Sequence, residues 1–247
     1  MTTAEADQEV TAAFLVIGDE ILSGRTKDKN IGFLADYLTT IGIDLREVRI
    51  VPDVTKKIVD AVNELRAGYT YVFTSGGIGP THDDITANSI AAAFGVPIDV
   101  DPRAKAILEA HYPPGQLTPA RLRMARIPEG ADLIDNPVSK APGFRIENVH
   151  VMAGVPSIMQ AMVDAIAPTL KTGRKMLSRY VDADVPESRL ADQVGEIQTR
   201  FPETLIGSYP RTNDGRFTTQ IVIRSRDEDT LEEATAAVRE AVAGALA

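Results

Sequence analysis

The sequence predicts an α/β protein with a doubly wound, mostly parallel sheet, followed by a small α+β domain. Short apolar runs alternate with segments of helical periodicity over the first two thirds of the chain. This alternation indicates parallel strands joined by right-handed helical crossovers. Glycine-rich and acidic loops follow the apolar runs, at the positions where sheets of this type form their ligand crevice.

Each element is predicted from its own pattern. An apolar run that ends in glycine indicates a buried strand, apolar residues three or four apart indicate a helix, and Thr55 is a candidate N-cap. The stretch 101–124 is expected to be helical around a Pro-Pro-Gly turn at 113–115. In chain order the other elements of the first domain are strand 12–18, helix 30–40, strand 43–51, a helix from 55, strand 69–74, a helix from about 84 to 94 that stops at Gly95, strand 150–153 and helix 157–170.

Three parts of the chain are expected: a disordered lead-in over 1–11, the α/β domain over 12–172, and an α+β domain over 176–247. A Thr-Gly-Arg linker precedes the last part. In that part the expected order is strand 176–185, helix 187–201, strand 204–209, a turn at 213–215, strand 217–226 and a helix with Leu231 and Val238 in its apolar stripe.

Composition excludes several classes of function. A formal net charge of −9 disfavours nucleic acid as a partner. The chain has no cysteine, so it has no disulfide and no thiolate metal site, which fits a reducing cytoplasm. No apolar run is long enough to span a membrane. Only three histidines occur, without metal-ligand spacing, and a zinc or serine hydrolase is poorly supported.

The loop after the third predicted strand contains three glycines in four positions, Gly76, Gly77 and Gly79, followed by Thr81. Such a loop brings backbone N–H groups close to an oxyanion, and the next helix adds the positive end of its dipole. The loop is neither a Walker A motif nor a dinucleotide-binding G-x-G-x-x-G motif. A phosphate cradle is therefore predicted; the alternative is a tight turn whose aspartates cap the next helix.

Carboxylates follow each of the first three strands and are expected to meet at one edge of the sheet. Acidic groups beside a phosphate would repel it unless a hard divalent cation such as Mg²⁺ bridged the two. The alternative is a set of solvated loop carboxylates. The candidate metal ligands are Asp19, Glu20, Asp53, Asp83 and Asp84.

Two later loops are further candidates for ligand binding. In the first, Ser139 and Lys140 are suited to contact a phosphate and Gly143 closes the stiff segment, although Lys140 is equally suited to be a surface cation. In the second, Gly154 and Pro156 open a helix whose N-terminus is expected to face the same crevice. A plain helix start is the alternative there.

Together these motifs resemble the competence/damage-inducible CinA family. The resemblance covers about residues 12–170 and rests on four separated motifs. They are Gly18-Asp19-Glu20-Ile21-Leu22-Ser23-Gly24, Thr74 to Asp84 with Thr86, Asn136-Pro137 with Ala141-Pro142-Gly143-Phe144, and Gly154-Val155-Pro156. The resemblance implies a fold like the molybdopterin-binding domain of molybdenum-cofactor biosynthesis proteins. It also implies a KH-like second domain, and no nicotinamide-nucleotide deamidase domain is expected.

Members of these families bind molybdopterin, adenylylate it, or hydrolyse nucleotide pyrophosphates such as ADP-ribose with a divalent metal. The resemblance implies that Asp53 and Asp84 are the essential carboxylates. Asp83 stands where the adenylyltransferases have arginine, which favours pyrophosphatase chemistry. Two segments depart from the family pattern: Ser139-Lys140 replaces a glycine-containing pair, and no glutamate precedes Met159.

The leading hypothesis is a metal-assisted pyrophosphatase of the cytoplasm that acts on a phosphorylated nucleotide. The alternatives are a molybdopterin-binding module without turnover and a molybdopterin adenylyltransferase. The KH-like segment has no G-x-x-G loop and carries more acidic than basic residues. Assembly of a homo-oligomer or a role as a lid therefore fits it better than RNA binding.

Overall fold

The computed structural model describes residues 9–213 and 216–246, which divide into two compact units at the Gly173–Arg174 bond. Most of the expected lead-in, residues 1–8, lies outside the described residues. The first strand begins at Thr11. Within the described ranges, no helix is both long and apolar enough to cross a bilayer.

The described residues of the first unit, 9–173, form eight strands and seven α-helices. Its strands are β1 (Thr11–Ile17), β2 (Asp44–Val51), β3 (Tyr71–Ser75), β4 (Ile98–Val100), β5 (Arg126–Pro128), β6 (Asp132–Ile134), β7 (Gly143–Ile146) and β8 (Val149–Met152). Its helices are α1 (Asp19–Leu22), α2 (Asn30–Thr40), α3 (Thr55–Gly68), α4 (Thr86–Phe94), α5 (Pro102–His111), α6 (Pro119–Leu122) and α7 (Pro156–Ile166).

Six of these strands form one sheet in the order β2-β1-β3-β8-β7-β6. The pairs β1–β2, β1–β3 and β3–β8 are parallel, whereas β7 and β6 extend the sheet as an antiparallel edge. Strands β4 and β5 form a separate antiparallel pair. The prediction of an α/β unit with a mostly parallel sheet is confirmed, while β4 to β7 were not predicted.

The sheet is buried on both faces, which explains why its central strand is a continuous apolar run. In β1, Leu15 and Ile17 pack on the core that includes Ile58 and Leu65 of α3. Phe14 belongs to the opposite core, with Leu34 of α2 and the methionines of α7. Alternate residues of one strand therefore enter two different cores, as expected for a helix-covered parallel sheet.

Helix ends match the sequence prediction in part. Gly95 ends α4 in the left-handed conformation with φ +66°, as the glycine there predicted. Thr55 is the first helical residue rather than the N-cap, and no side chain caps α3. Asp101 caps α5 by accepting from the N–H groups of Arg103 and Ala104, a cap that was not predicted.

The second unit is a three-stranded antiparallel sheet with helices. It contains β9 (Leu177–Ala183), α8 (Ala191–Arg200), β10 (Leu205–Asn213), β11 (Arg216–Ser225) and α9 (Glu228–Leu246), and the strands lie in the order β10-β11-β9. The expected order β-α-β-β-α is confirmed. Of the predicted turn at 213–215, Asp214 and Gly215 lie outside the described residues.

His150 is a buried titratable residue of β8 that packs against two aromatic residues of the core containing Phe14. It is 1% exposed, and its ring packs 5.3 Å from that of Phe73 and 5.7 Å from that of Tyr71. Burial, with the nearby Arg145 charge, lowers the pKa of His150 from 6.5 to about 4. The folded protein therefore keeps this imidazole neutral over a pH range in which the unfolded chain is protonated.

We expect His150 to make the protein less stable as the pH falls from 6.5 to 4. The unfolded state binds a proton there that the folded state does not, so acid favours unfolding. Urea denaturation of His150→Phe should show a smaller loss of unfolding free energy over that range than the wild type. His111→Gln is the control, since His111 is exposed. Parallel pH profiles for wild type and His150→Phe would contradict the expectation.

Candidate functional site

The candidate site lies where the parallel strands end. Gly18 follows β1, Asp53 lies two residues beyond β2, Gly76 follows β3, and Gly154 lies two residues beyond β8. Because these four strands are parallel and adjacent in the sheet, their loops meet at one edge. Two of the loops bond to the end of a neighbouring strand: the Gly18 N–H donates to the Val51 carbonyl of β2 at 3.1 Å, and the Gly76 N–H donates to the Met152 carbonyl of β8 at 3.2 Å.

Gly76 has a structural role at this edge, and its amide is not available to bind a ligand. Its N–H is occupied by Met152, so it is not a phosphate donor as the sequence had suggested. Its φ of +104° is one that L residues rarely adopt, and a Cβ here would lie 2.1 Å from the Ile17 carbonyl oxygen. The residue must therefore be glycine for β1 and β3 to keep their spacing.

The next three residues provide unpaired donors. Within the described chain, the N–H groups of Gly77, Ile78 and Gly79 donate no hydrogen bond. Gly77 has φ +66°, and its carbonyl accepts from the Thr86 N–H at 3.0 Å, which anchors the loop to the start of α4. Three consecutive free amides beside a helix start are an anion-binding arrangement. We call residues 77–79 the amide cradle.

Asp84 organises the end of the cradle. Its Oδ2 accepts from the Thr81 N–H at 2.8 Å and from Thr81 Oγ1 at 2.5 Å. No side chain caps α4, whose N-cap residue is Ile85. The alternative in which Asp84 caps this helix is therefore not what the structure contains. Thr86 Oγ1 is buried and has no hydrogen-bond partner among the described residues.

Four carboxylates line a pocket of ≈ 120 Å³ beside the cradle, which we call the acidic pocket. They are Glu20, Asp53, Asp83 and Asp84, and Gly77 and Thr81 complete the wall. Asp53 Oδ2 accepts from the Asp19 N–H at 3.0 Å. Burial raises the pKa of Asp53, and the charges of Asp19, Glu20 and Asp83 raise it further, while the Asp19 N–H opposes them.

The acidic pocket suits a hard cation that shares its coordination with a ligand. Among the described residues, no three His, Cys, Asp or Glu side chains are already placed to hold a metal ion. Mg²⁺ sites commonly use one or two carboxylates, with water and substrate phosphate oxygens as the other ligands. Glu20, Asp53 and Asp84 are the candidates for the one or two carboxylates of such a site. Asp19 contributes its N–H, and its exposed carboxylate is not part of the pocket lining.

A larger cleft of ≈ 500 Å³, the central cleft, opens on the other side of the cradle. Its wall is mainly apolar and includes Ile78, Met124, Ala141 and Ile158. Ser139, Gly154 and Pro156 lie in the lining as the sequence predicted, whereas Lys140 and Gly143 do not. A Cβ at Gly143 would lie 2.3 Å from the Val151 carbonyl oxygen, so this glycine serves strand packing.

Two asparagines hold the loops around the central cleft. Asn136 donates to Ser139 Oγ at 2.7 Å and to the Ala141 carbonyl at 2.8 Å. Asn30 donates to the Gly154 carbonyl at 2.8 Å. The Ser139 hydroxyl accepts from Asn136, so its own proton is free for a ligand. Side-chain hydrogen bonds therefore fix the loops that form the wall of the central cleft.

Arg123 and Arg126 line a third, narrow pocket together with Asn88 and the amide cradle. We call it the arginine pocket. Sequence reasoning missed these residues because they belong to a stretch with no motif, a short 3₁₀ helix (Arg123–Ala125) followed by β5. Gly77 and Asp84 line all three pockets, so the cradle is their common wall.

This architecture is that of an α/β domain with its candidate ligand site at the carboxyl edge of a parallel sheet. The family model described as the probable molybdopterin binding domain matches residues 13–172. The chain therefore belongs to that family. A second family model, the FAD synthase middle domain, matches residues 175–247. The expected likeness of this second unit to KH domains stays a prediction.

Several known proteins are similar to this chain. A protein of Aeropyrum pernix is 33% identical over 242 residues, which cover 93% of this chain and 90% of that protein. The probable FAD synthase of Caenorhabditis elegans is 29% identical over 98% of this chain, which spans 52% of that relative. The crystal structure of a CinA protein of unknown function from Thermoplasma acidophilum is 34% identical, with a TM-score of 0.62, and covers 65% of this chain and 98% of its own.

Proposed function

We propose that the first unit hydrolyses the phosphoanhydride of a nucleotide such as ADP-ribose with the help of a divalent cation. The observation that carries this proposal is the position of three unpaired amides next to a pocket of four carboxylates. The amides match a phosphate, whereas the carboxylates match a cation and the activation of water. Neither group alone would indicate hydrolysis.

The amide cradle and the acidic pocket have different roles in the proposed reaction. The amide cradle binds and orients one phosphate, and Asp53 accepts a proton from water. The oxygen of that water bonds to phosphorus, while the bond from this phosphorus to the bridging oxygen breaks. The bridging oxygen leaves with the electron pair on the other phosphate, which gives AMP and ribose 5-phosphate from ADP-ribose. A carboxylate whose pKa is raised is suited to this role.

A cation held by Glu20, Asp53 and Asp84 would offset the negative charge of the diphosphate and make water more acidic. The chain's own task there is to keep three carboxylates close to the cradle without closing the pocket. Asp84 does this through its two bonds to Thr81, which hold the carboxylate beside Gly79.

The direct test is incubation of the purified protein with ADP-ribose and Mg²⁺, Mn²⁺ or Co²⁺. AMP release that depends on the metal is the expected result. FAD should be assayed in parallel, because two relatives are named probable FAD synthases and FAD also has a diphosphate bridge. If no metal supports cleavage of either compound, the hydrolytic proposal fails.

Replacing Asp84 by Asn should lower ADP-ribose hydrolysis on the order of 100-fold, because one of the proposed carboxylate ligands of the cation is lost. The amide oxygen of Asn can still accept from the Thr81 N–H, so we expect the melting temperature to stay close to that of the wild type. Asp36→Asn on the exposed face of α2 is the control for charge. Activity within twofold of the wild type in Asp84→Asn would remove Asp84 from the mechanism.

A second candidate function is the binding of molybdopterin, which the apolar wall of the central cleft favours. Met124 and Ile158 suit the face of a flat ring, while the neighbouring cradle suits its phosphate. Thermal-shift titration with molybdopterin tests this function, since a ligand of the native state raises its stability. Stabilisation without any AMP transfer from ATP would indicate a carrier, and transfer of AMP to the pterin would indicate an adenylyltransferase.

A further inference from the structure

The arginine pocket contains two cations without a close ion-pair partner among the described residues, although Asp84 lines the same pocket and the charge of Arg123 acts on Asp83. Within the described chain, neither Arg123 nor Arg126 forms an ion pair within 4.0 Å or a hydrogen bond. Other arginines of this unit do: Arg103, for instance, pairs with Asp101 at 2.8 Å, and Arg145 pairs with Asp132 at 2.5 Å. Two guanidinium groups without a close carboxylate therefore lie in one pocket wall.

Arg126 is the more informative of the two because it is only half exposed. Its backbone is held in the β4–β5 pair opposite Val100, so the base of the side chain has a defined position. A partly buried guanidinium with five N–H donors and no acceptor is unfavourable unless a ligand or water supplies oxygens. Phosphate matches this group best, since its oxygens accept two parallel N–H bonds from arginine.

The size and position of the pocket restrict what enters it. Its volume is ≈ 20 Å³, room for about one water-sized group, so a base or pterin ring is excluded and a phosphate at the mouth of the pocket would place only an oxygen atom inside. Gly77, Ile78 and Gly79 form one of its walls, so a group bound here lies next to a phosphate on the cradle. The acidic pocket also borders Gly77 and Asp84, so the two pockets share part of the cradle and one carboxylate as a common wall.

We propose that Arg126, assisted by Arg123, binds the second phosphate of a diphosphate whose first phosphate lies on the amide cradle, and thereby selects diphosphate-bridged nucleotides over monophosphates. This inference rests on the proposed function for the cradle itself. It adds that the bridging oxygen leaves toward the arginine pocket, where guanidinium groups offset the charge that develops on the departing phosphate.

Binding of two non-hydrolysable or inert probes tests the assignment without depending on turnover. Isothermal titration with α,β-methylene-ADP measures diphosphate binding, and titration with AMP measures monophosphate binding. Arg126→Ala should weaken binding of α,β-methylene-ADP on the order of 10- to 100-fold and that of AMP less than twofold, because only the diphosphate reaches the pocket. Arg126→Lys should recover part of the loss, since it retains the charge without the planar fork.

Lys105→Ala is the matched control for charge, since Lys105 lies on α5 and pairs with Glu109. Equal weakening of both probes in Arg126→Ala, or no weakening of either, would overturn the proposal. If the wild type cleaves ADP-ribose but Arg126→Ala binds both probes normally, the hydrolytic function stands and the arginine assignment fails. If the wild type cleaves nothing but Arg126→Ala selectively loses α,β-methylene-ADP, the diphosphate site stands and hydrolysis fails.

Discussion

Asp53→Asn should lower kcat for ADP-ribose by at least about 100-fold without lowering the melting temperature. The asparagine carbonyl oxygen can still accept from the Asp19 N–H, so the loop after β2 keeps its bond. The variant lacks a carboxylate that must ionise among three other acids in a partly buried position. We therefore expect lost activity together with unchanged or increased stability, measured by AMP release and by thermal unfolding.

The direction of the pH dependence follows from the raised pKa of Asp53. The folded protein binds a proton there more tightly than the unfolded chain, so this carboxyl favours the folded state below its usual pKa. That advantage is lost as the pH rises through the raised folded-state value. At neutral pH the wild type should be no more stable than Asp53→Asn. A clearly less stable Asp53→Asn, or one that keeps full activity, would contradict a catalytic role for Asp53.

Gly76→Ala should destabilise the protein by about 3 kcal/mol or more, the largest effect expected for adding a single methyl group to this chain. The new Cβ would lie 2.1 Å from the Ile17 carbonyl oxygen, and the residue would keep a φ of +104°. Relief requires β1 to separate from the loop after β3, which displaces the neighbouring cradle. Urea denaturation measures the loss of stability, and titration with α,β-methylene-ADP measures the loss of the site.

Gly115→Ala distinguishes the two causes of destabilisation, the close contact with Ile17 and the strain of a positive φ. Gly115 also has a positive φ, +79°, but nothing lies within 4 Å of its added Cβ. Its cost should therefore be about 1 kcal/mol, the strain of the backbone conformation alone. Similar unfolding free energies for Gly76→Ala and Gly115→Ala would show that the contact with Ile17 is not tight in solution.

The sequence predicted the inner parallel strands well because β1, β3 and β8 are mostly buried and largely apolar. The antiparallel edge escaped prediction for the opposite reason. Strands β6 and β7 have three and four residues, and the polar Asp132 and Arg145 pair with each other across the edge. Such short, partly polar strands depend on tertiary pairing and have no periodicity to detect.

For the candidate site, the glycine motif and the carboxylates were found because each follows a strand end. The motif did not reveal that its glycines have different roles. Only the folded structure shows that the Gly76 N–H is bonded to Met152, whereas the Gly77 N–H is unpaired among the described residues. Arg123 and Arg126 could not be recognised from sequence. Their meaning depends on the missing ion pairs and on packing against the cradle, and both are properties of the folded chain.

The contact between the Gly76 and Gly154 backbones restricts how the ligand preference of this domain can be redesigned. Gly76 touches Gly154, whose added Cβ would lie 3.2 Å from the Gly76 Cα, so two backbones meet without side chains between them. A larger residue at Gly76 would collide with the Ile17 carbonyl oxygen, and one at Gly154 would require the Gly76 backbone to shift. Engineered changes of specificity must therefore use positions that already project side chains into the cleft, such as Ile78, Met124 and Ile158.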